Sequence, residues 1–554
     1  MPDSPPTRPC LEGRAFDIVV IGGGINGIAI ARECARAGAR VLLLDQHDFA
    51  SGTTSRATRI VHGGLRYLEH GDLALVRESL RERERLLAEK PHLVRPMRFT
   101  LALRNGVNHG VLRSKLAIRA GLWLYGRMRP ATSPREPAAE QSLERLLETD
   151  SGWALFDYDD AQCEFPERLA AEWLLEAAGA GAVVRNHTRV LAVLRQAGCV
   201  CGVTVRDLLS GKECRIASRQ VVNATGPWAD SVIRDSGLNT GACLVGGVRG
   251  SHIVLRSFPG APRSAIYAEA ADRRPVFVIP WNEMLLVGTT EVPDGSDPAC
   301  TKPEPAEIDY LLRAFNGLVP FRRATRENVV YAYSGIRPLP RVENLAPSSI
   351  TRRHILYTHD FEGAAGLVSV VGGKLTTAAS LARDCARLLK LRVPCRATMV
   401  AAGPPADGIE NSLRQWARQV AVMAHITEAA AASIAEWHGR SAICIARMAS
   451  AEPRMRRALC PHSEHIVAEA VNAFRYEYAV NAADALLRRV PVALSGCWSE
   501  DCTRTAVVRI GAVMGWTHER QEREIEAMET ERNAFLVRLA LTRPQSAAQQ
   551  SRII

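Results

Sequence analysis

The feature that most restricts what this chain can fold into lies near its start. Asp17-Ile-Val-Val-Ile-Gly-Gly-Gly-Ile-Asn-Gly27 is a β-branched run that breaks into glycines. Ile28 to Ala37 then carries helical spacing closed by Gly38, and Arg40-Val-Leu-Leu-Leu-Asp45 is a second apolar run ending in an acid. Strand, glycine turn, helix and parallel strand make a βαβ unit, with G-x-G-x-x-G at Gly22, Gly24 and Gly27. Gly22 permits the tight turn, Gly24 lets backbone approach a pyrophosphate, and Gly27 lets the helix pack on the strand. The N–H groups at the helix start face the phosphates. Asp45, 18 residues beyond Gly27, is placed to hold a ribose.

The rest of the composition fits a large globular protein around that unit. The 554 residues are 47% hydrophobic and 23% charged, which excludes a disordered or fibrous chain and allows two to four domains. No run approaches the roughly 18 apolar residues of a spanning helix. Met1 to Ala15 is polar and Pro-rich, without a secretory stretch, so an intracellular protein is expected. With 70 Lys+Arg against 59 Asp+Glu the net charge is +11, which favours a phosphorylated substrate, nucleic acid or an anionic membrane surface. Nucleic acid would call for basic residues interleaved with aromatics, and at 6% aromatic that pattern is missing. Fourteen cysteines include no CxxC pair. Cys199 and Cys201 share one face of a strand, while Cys497 and Cys502 read as free thiols flanking a turn, since iron–sulfur ligands come in fours.

Past Asp45, Ala50 to Tyr67 is rich in hydroxyls and glycines and carries His62, Arg66 and Tyr67, a segment suited to a phosphate-rich ligand. Asp72 to Glu89 reads as a charged, solvated helix capped by Asp72. Val111 to Met128 mixes Leu112, Leu116, Ile118, Leu122, Trp123, Leu124 and Tyr125 with Arg113, Lys115, Arg119 and Arg127. It reads equally as a buried-face helix or as one lying in a membrane interface. Pro130 to Pro137 is a loop. Ala182 to Asn223 is strand-rich with a hairpin at Ser210-Gly211, and Asn223-Ala-Thr-Gly-Pro-Trp228 returns the chain to the nucleotide site. Ser251–Leu255, Val276–Pro280 and Met284–Glu291 alternate as an antiparallel sheet. Gly366 to Thr377 is a strand, two glycines and a helix start carrying Lys374, a second anion-favouring N-terminus. Ala401 to Gly408 is a linker, and residues 410 to about 540 are helical, with Met514-Gly-Trp-Thr517 as a stop and a new cap. Gly246-Gly-Val-Arg-Gly250 is followed by a strand, so it opens no second dinucleotide site.

On these residues the chain resembles the FAD-dependent glycerol-3-phosphate dehydrogenases of respiratory metabolism. The motifs are His62-Gly-Gly-Leu-Arg-Tyr-Leu-Glu-His70, Asn223 to Trp228, Gly250-Ser-His252, Gly288-Thr-Thr290, Tyr333-Ser-Gly-Ile-Arg-Pro338, Ile350-Thr-Arg352, Gly372-Gly-Lys-Leu-Thr-Thr377, Arg475-Tyr-Glu-Tyr478 and Leu486-Leu-Arg-Arg489. The family has Lys at Arg59 and Asp at Glu291. The resemblance implies an α/β FAD-binding Rossmann-like domain of the DAO/glutathione-reductase type, an inserted antiparallel-sheet substrate domain and a C-terminal all-helical domain. The expected boundaries are an extension at 1–15, an oxidoreductase module at 16–400, a linker at 401–410, a helical domain at 411–541 and a tail at 542–554. Within the module, FAD-binding segments fall at about 16–110, 180–235 and 350–392, and the substrate insertion at about 240–345.

The implied activity is oxidation of sn-glycerol 3-phosphate to dihydroxyacetone phosphate, with electrons passing from FAD to a membrane quinone such as ubiquinone. The implied location is peripheral, on the inner face of the cytoplasmic membrane, with a homodimer and a role for the helical domain left open. His62 is the expected general base, with His252 the competitor and Arg337 assisting; no metal is expected. Arg337 and Arg352 are assigned to phosphate with Arg66 nearby, Tyr67 and Thr290 to substrate, and Lys374 to substrate and flavin. The flavin site is expected at Gly22, Gly24, Asn26, Gly27, Asp45, Thr54, Ser55, Arg59, Ile60, His62, Ala224, Thr225, Gly226, Gly373, Lys374, Leu375 and Thr376. His47, His70 and His92 read as surface residues, and Trp416, Trp437 and Trp498 as core. Two alternatives share this architecture: oxygen as the electron acceptor, and an amine or D-amino-acid oxidase.

Overall fold

The apolar run ahead of the glycines becomes the central strand of a sheet. In the computed structural model, which describes residues 8, 10–65, 71–104, 115–128, 153–272, 274–319, 322–342, 350–391 and 408–538, β1 (Ala15–Ile21) pairs in parallel with β2 (Val41–Leu44) and β9 (Glu213–Asn223). Parallel β6 (Val183–Arg185) and β17 (Leu367–Val371) extend it, and antiparallel β16 (Ile355–Thr358) closes one edge. β7 (Thr188–Gln196) and β8 (Cys199–Asp207) form an antiparallel ribbon with β9, its turn at Ser210-Gly211 as the pattern predicts. Ile18 to Ile21 and all of β2 are buried because both faces are covered. Helices α1 (Ile25–Arg36), α4 (Pro166–Gly179) and α7 (Ala378–Leu388) pack on one face. The ribbon and α5 (Ala229–Asp235) pack on the other.

The second sheet has nine strands in the order β14-β10-β13-β12-β11-β4-β5-β3, with β15 (Val329–Pro340) also on β10 (Val245–Arg256). β11 (Ala265–Glu269), β12 (Pro275–Trp281), β13 (Met284–Gly288) and β14 (Val292–Pro293) are the expected insertion. β3 (Ile60–Val61), β4 (Val94–Arg104) and β5 (Trp153–Cys163) are not: they come from earlier in the chain, so the expected segment 16–110 is divided between the two sheets. The pairings within this sheet are antiparallel except β4 with β11, which is parallel. Helix α6 (Pro305–Leu318) covers one face.

Helix α2 (Leu73–Glu89) is capped as predicted, the Asp72 carboxylate accepting from Leu75 N at 3.2 Å. The expectation of a wholly solvated helix is corrected, because Ser79, Glu82 and Arg83 are buried. Arg83 pairs with Asp160 on β5 at 2.5 Å, and Glu82 pairs with Arg383 at 2.6 Å. Helix α3 (Lys115–Met128) buries Tyr125 and exposes Leu116 and Trp123 (77% and 66%). The Pro130–Pro137 loop, the 401–407 part of the linker and the tail lie outside the described residues.

Residues beyond Gly408 form α8 (Ile409–Ala424), α9 (Glu428–His438), α10 (Ala442–Ala451), α11 (Val467–Tyr476), α12 (Glu500–Met514) and α13 (His518–Phe535). Gly515, at φ +69°, ends α12, and Thr517 caps α13 through Arg520 N, as read from the sequence. This domain does not stand apart. Trp437, Leu486, Trp498 and Val507 share one continuous core with Phe99, Trp281, Tyr331 and Tyr333 of the second sheet, while Trp416 packs at its margin. The Tyr331 hydroxyl donates to Leu494 O at 2.6 Å. A second seam is ionic: Arg488 and Arg489 both clasp the buried Asp48 just past β2, at 2.5 and 2.7 Å. Those pairings hold the Asp48 carboxyl below its ordinary range against the effect of burial.

Candidate active site

Between the two sheets lies a cavity of about 1580 Å³, and the segments singled out in the sequence converge on its wall. Gly22, at φ +100°, brings the β1 turn so close to the end of β9 that a Cβ would sit 2.6 Å from Ala224 O. At Gly27 a Cβ would meet Gly22 O at 1.8 Å, so the first turn of α1 packs directly on the glycine turn. Thr54 fixes the hydroxyl-rich segment on that helix start by accepting from Ile25 N at 3.0 Å. Asp45 accepts from Gly23 N at 2.6 Å and His47 N at 2.8 Å, so it braces the turn while lining the cavity. Ser55 donates to Ala50 O at 2.5 Å, and Thr225 donates to Asn223 at 2.6 Å. The side-chain oxygen of Asn26 is buried and has no hydrogen-bond partner among the described residues. Gly24, Ile60, Ala224, Gly226, Gly373, Leu375 and Thr376 complete this half of the wall.

His62 follows β3, and its backbone is held from two sides. Its N–H donates to Thr376 Oγ1 at 3.3 Å, and the next N–H, of Gly63, donates to Asp160 at 3.1 Å. Burial pushes the His62 imidazole down to about 4, with Asp160 opposing and Lys374 and Arg83 adding to the fall. The ring is therefore neutral at physiological pH and lines the cavity.

Three of the cations assigned from the sequence line the same space. Arg352 reaches Glu291 Oε1 at 2.9 Å, and Arg337 reaches the same oxygen at 3.4 Å while donating to Thr289 Oγ1 at 3.0 Å. Lys374 donates to Ser79 Oγ at 3.4 Å, and burial drives its ammonium down to about 7, outweighing Glu78 and Asp72. Lys374 stands in the turn before α7, whose cap is Thr377, rather than in the helix's first turn as expected. Arg66, Tyr67 and His70 lie outside the described residues.

Two expected site residues lie off the cavity wall, and the side chain of a third turns away from it. His252 is enclosed between Gly288 and the Tyr333 ring, which stacks on it at 5.0 Å, and its Nε2 pairs with Thr58 Oγ1 at 3.0 Å. Burial, with Arg337 and Arg59, pushes it to about 3, and it does not line the cavity. Thr290 turns to the opposite face, donating to Glu307 at 2.6 Å, so its neighbour Thr289 faces the cavity instead. Arg59 lines the cavity as expected, but its guanidinium turns away, forking onto Glu167 at 2.9 and 3.0 Å and lying 4.3 Å over Trp281. His92 is not a surface residue either, because it pairs with Glu172 at 2.7 Å; His47 is exposed as read.

Sequence reasoning missed a further set. Arg56 lines the cavity with its guanidinium 5.3 Å over Phe535, and Asp160 and Arg83 support His62 from behind. Arg488, Glu531 and Phe535 show that the helical domain supplies part of the wall. The Leu486–Arg489 motif was the one local sign of that contribution.

Residues 17–379 match the family of FAD dependent oxidoreductases, and residues 401–521 match the C-terminal domain of alpha-glycerophosphate oxidase. A glycerol-3-phosphate dehydrogenase from Synechocystis is 35% identical over 542 residues, covering 94% of this chain and 96% of that protein. The aerobic glycerol-3-phosphate dehydrogenase of Escherichia coli is 38% identical over 368 residues, 66% of this chain and 72% of that one. Among solved structures, a glycerol-3-phosphate dehydrogenase from Bacillus halodurans complexed with FAD superposes with a TM-score of 0.74 at 23% identity, covering 97% of each chain.

Proposed function

This chain belongs to the FAD-dependent glycerol-3-phosphate dehydrogenases, and from that premise we propose that it oxidises sn-glycerol 3-phosphate at C2 to dihydroxyacetone phosphate and delivers the electrons to a membrane quinone. The observation that carries the reading is that a neutral imidazole, His62, shares one cavity with Arg337, Arg352 and Lys374.

The cavity fits the cofactor on its own terms. The glycine cradle at Gly22 and Gly27 admits no side chain, and the unpartnered Asn26 oxygen beside it awaits a donor. Gly22, Gly24, Asn26, Gly27 and Asp45 would hold the dinucleotide part. Thr54, Ser55, Ile60, Ala224, Thr225, Gly226 and Gly373 to Thr376 would hold the flavin ring and its linker. When bound, the flavin supplies the acceptor for the hydride leaving C2.

The chain's own groups do the rest. His62, neutral at working pH, takes the hydroxyl proton at a ring nitrogen as C2 gives up its hydride. Arg337 and Arg352 grip the phosphate, whose charge exceeds that of the Glu291 carboxylate they hold without substrate. Lys374 adds a third positive charge that an incoming dianion stabilises. Asp160 and Thr376 fix the backbone on either side of the His62 ring.

Quinone as acceptor goes with a surface site. Helix α3 exposes Leu116, Trp123 and Leu124 beside Arg119 and Arg127, and the net charge of +11 favours anionic lipid on the inner face of the cytoplasmic membrane. Among the described residues no helix is long and apolar enough to cross a membrane. The decisive experiment is anaerobic reduction of the flavoprotein by sn-glycerol 3-phosphate, followed at the flavin's visible band. Bleaching reversed by a soluble quinone analogue is expected; reversal mainly by oxygen with stoichiometric peroxide would make the enzyme an oxidase. Bleaching by an amino acid instead would overturn the substrate.

A further inference from the structure

Away from the cavity, at one end of the helical domain, two segments that are distant in sequence bring three cysteines and a histidine together. Leu459 N donates to His465 O at 2.7 Å and Val467 N to Arg457 O at 2.8 Å, so residues 457–467 form a pinched loop with Cys460 and His462 at its tip. Opposite it runs Ser495 to Ser499, carrying Cys497 and leading into α12. The ligand atoms of Cys460, His462 and Cys497 all lie within 4.8 Å of one another. Cys502 Sγ stands 3.9 Å from His462 Nδ1 and hydrogen-bonds the Cys460 thiol. The two cysteines expected to be unrelated free thiols are thus half of a four-residue cluster.

We propose that Cys460, His462, Cys497 and Cys502 form a structural zinc site that ties the 457–467 loop to the start of α12. The donor set is three thiolates and one imidazole, the Cys₃His combination of closed tetrahedral zinc sites. Zn–S bonds of about 2.3 Å and Zn–N bonds of about 2.0 Å set the four ligand atoms a little under 4 Å apart. The Cys460, His462 and Cys497 ligand atoms, within 4.8 Å of one another, contract to reach that, and the Cys502 thiol, 3.9 Å from His462 Nδ1, turns in to complete the set. An iron–sulfur cluster is ordinarily held by four cysteines, and any one disulfide would leave a thiol and the imidazole stranded beside it.

The start of α12 brings further donors to the cluster. Cys502 is the third residue of α12, within the N-terminal turn capped by Ser499, where the helix dipole favours a thiolate. Ser499 Oγ also donates to Cys502 Sγ at 3.5 Å. Zinc entry releases three thiol protons and leaves a complex of net charge −1, with no change of oxidation state. None of the four residues lines the cavity, so the metal takes no part in the oxidation. Its effect is mechanical: Gly496, beside Cys497, packs against Met284 at the start of β13, so the clamp sits where the helical domain meets the second sheet.

The test is metal content of the full-length flavoprotein purified without chelator from zinc-supplemented culture. One zinc per chain, resistant to dialysis, is expected, and Cys460→Ser or Cys502→Ser should reduce it to about a tenth or less. Cys444→Ser, outside the cluster, should leave it unchanged. Protein grown on cobalt should show tetrahedral d–d absorption to the red of the flavin bands. If the serine variants fail to fold, titrating the wild type with a mercurial still decides: zinc should leave in step with three thiols while flavin stays bound. Absence of stoichiometric metal, a disulfide joining any two of these cysteines, or iron accompanied by sulfide would each overturn the proposal.

Discussion

Lys90 and Lys374 are both buried amines, yet their surroundings treat them in opposite ways. Lys90 lies in the seam between α2 and α4, 2.6 Å from Glu172 and 2.7 Å from Glu176; burial works against its charge, but the carboxylates outweigh burial and its ionisation rises. Lys374 lies on the cavity wall, where burial prevails over Glu78 and Asp72 and brings it down to about 7. The same contrast holds for arginines. Arg83, inside the frame, is raised by Asp160 despite burial, whereas Arg56 on the cavity wall is lowered by it. At Lys90 and Arg83 the protein's own carboxylates compensate the buried charge. At Lys374 and Arg56 burial prevails over the neighbouring carboxylates, an imbalance that an anionic ligand would offset.

That contrast can be broken at several points. His62→Ala should slow flavin reduction by substrate by about 10²–10⁴-fold with little change in substrate affinity, measured by anaerobic stopped flow. His252→Asn should not reproduce that loss, since its ring is walled off from the cavity. On the frame side, Arg168→Met strands the buried Glu477, its partner at 2.7 Å, and should cost about 3–5 kcal/mol in denaturant unfolding. The kcat/KM of the protein that remains folded should stay near wild type.

Arg352→Ala should lower kcat/KM by about 10–100-fold, mostly through KM, consistent with a lost charge-assisted contact of about 1.5–3 kcal/mol. Arg352→Lys should recover only part of this, because a point charge cannot form the fork. The smallest expected effect is on pH. The protonated form of Lys374 favours the anion, so kcat/KM should fall as pH rises through about 7, and Lys374→Arg should move that limb upward. The acid limb belongs to His62, which must be neutral, so it should appear only as pH falls toward about 4.

How much of this was legible in the sequence followed how locally each feature is encoded. The βαβ unit, the turn at Ser210-Gly211, the Asp72 cap and the Gly515–Thr517 break each depend on a few neighbouring residues, and all are in place. Thr289 and Thr290 were not separable, because only strand pairing decides which neighbour faces the cavity. His252 matched a family motif, yet its burial depends on Gly288 and Tyr333, which lie on two other strands. β5 is interrupted by Asp157, Asp159 and Asp160, whose carboxylates only make sense once Thr100, Arg98, and Arg83 with Tyr125 are seen beside them in turn. The sulfur cluster joins positions 460 and 497, a separation no local pattern reports.

Tyr125 is the one buried side chain of α3 among its described residues, and its hydroxyl reaches both oxygens of Asp160, at 2.9 and 2.8 Å. Asp160 in turn holds the N–H of Gly63, a position so tightly enclosed that a Cβ would fall 2.4 Å from that same hydroxyl. One phenol, rooted in a helix whose other described side chains are exposed or half-buried, thus sets the backbone next to His62 from outside both sheets' cores.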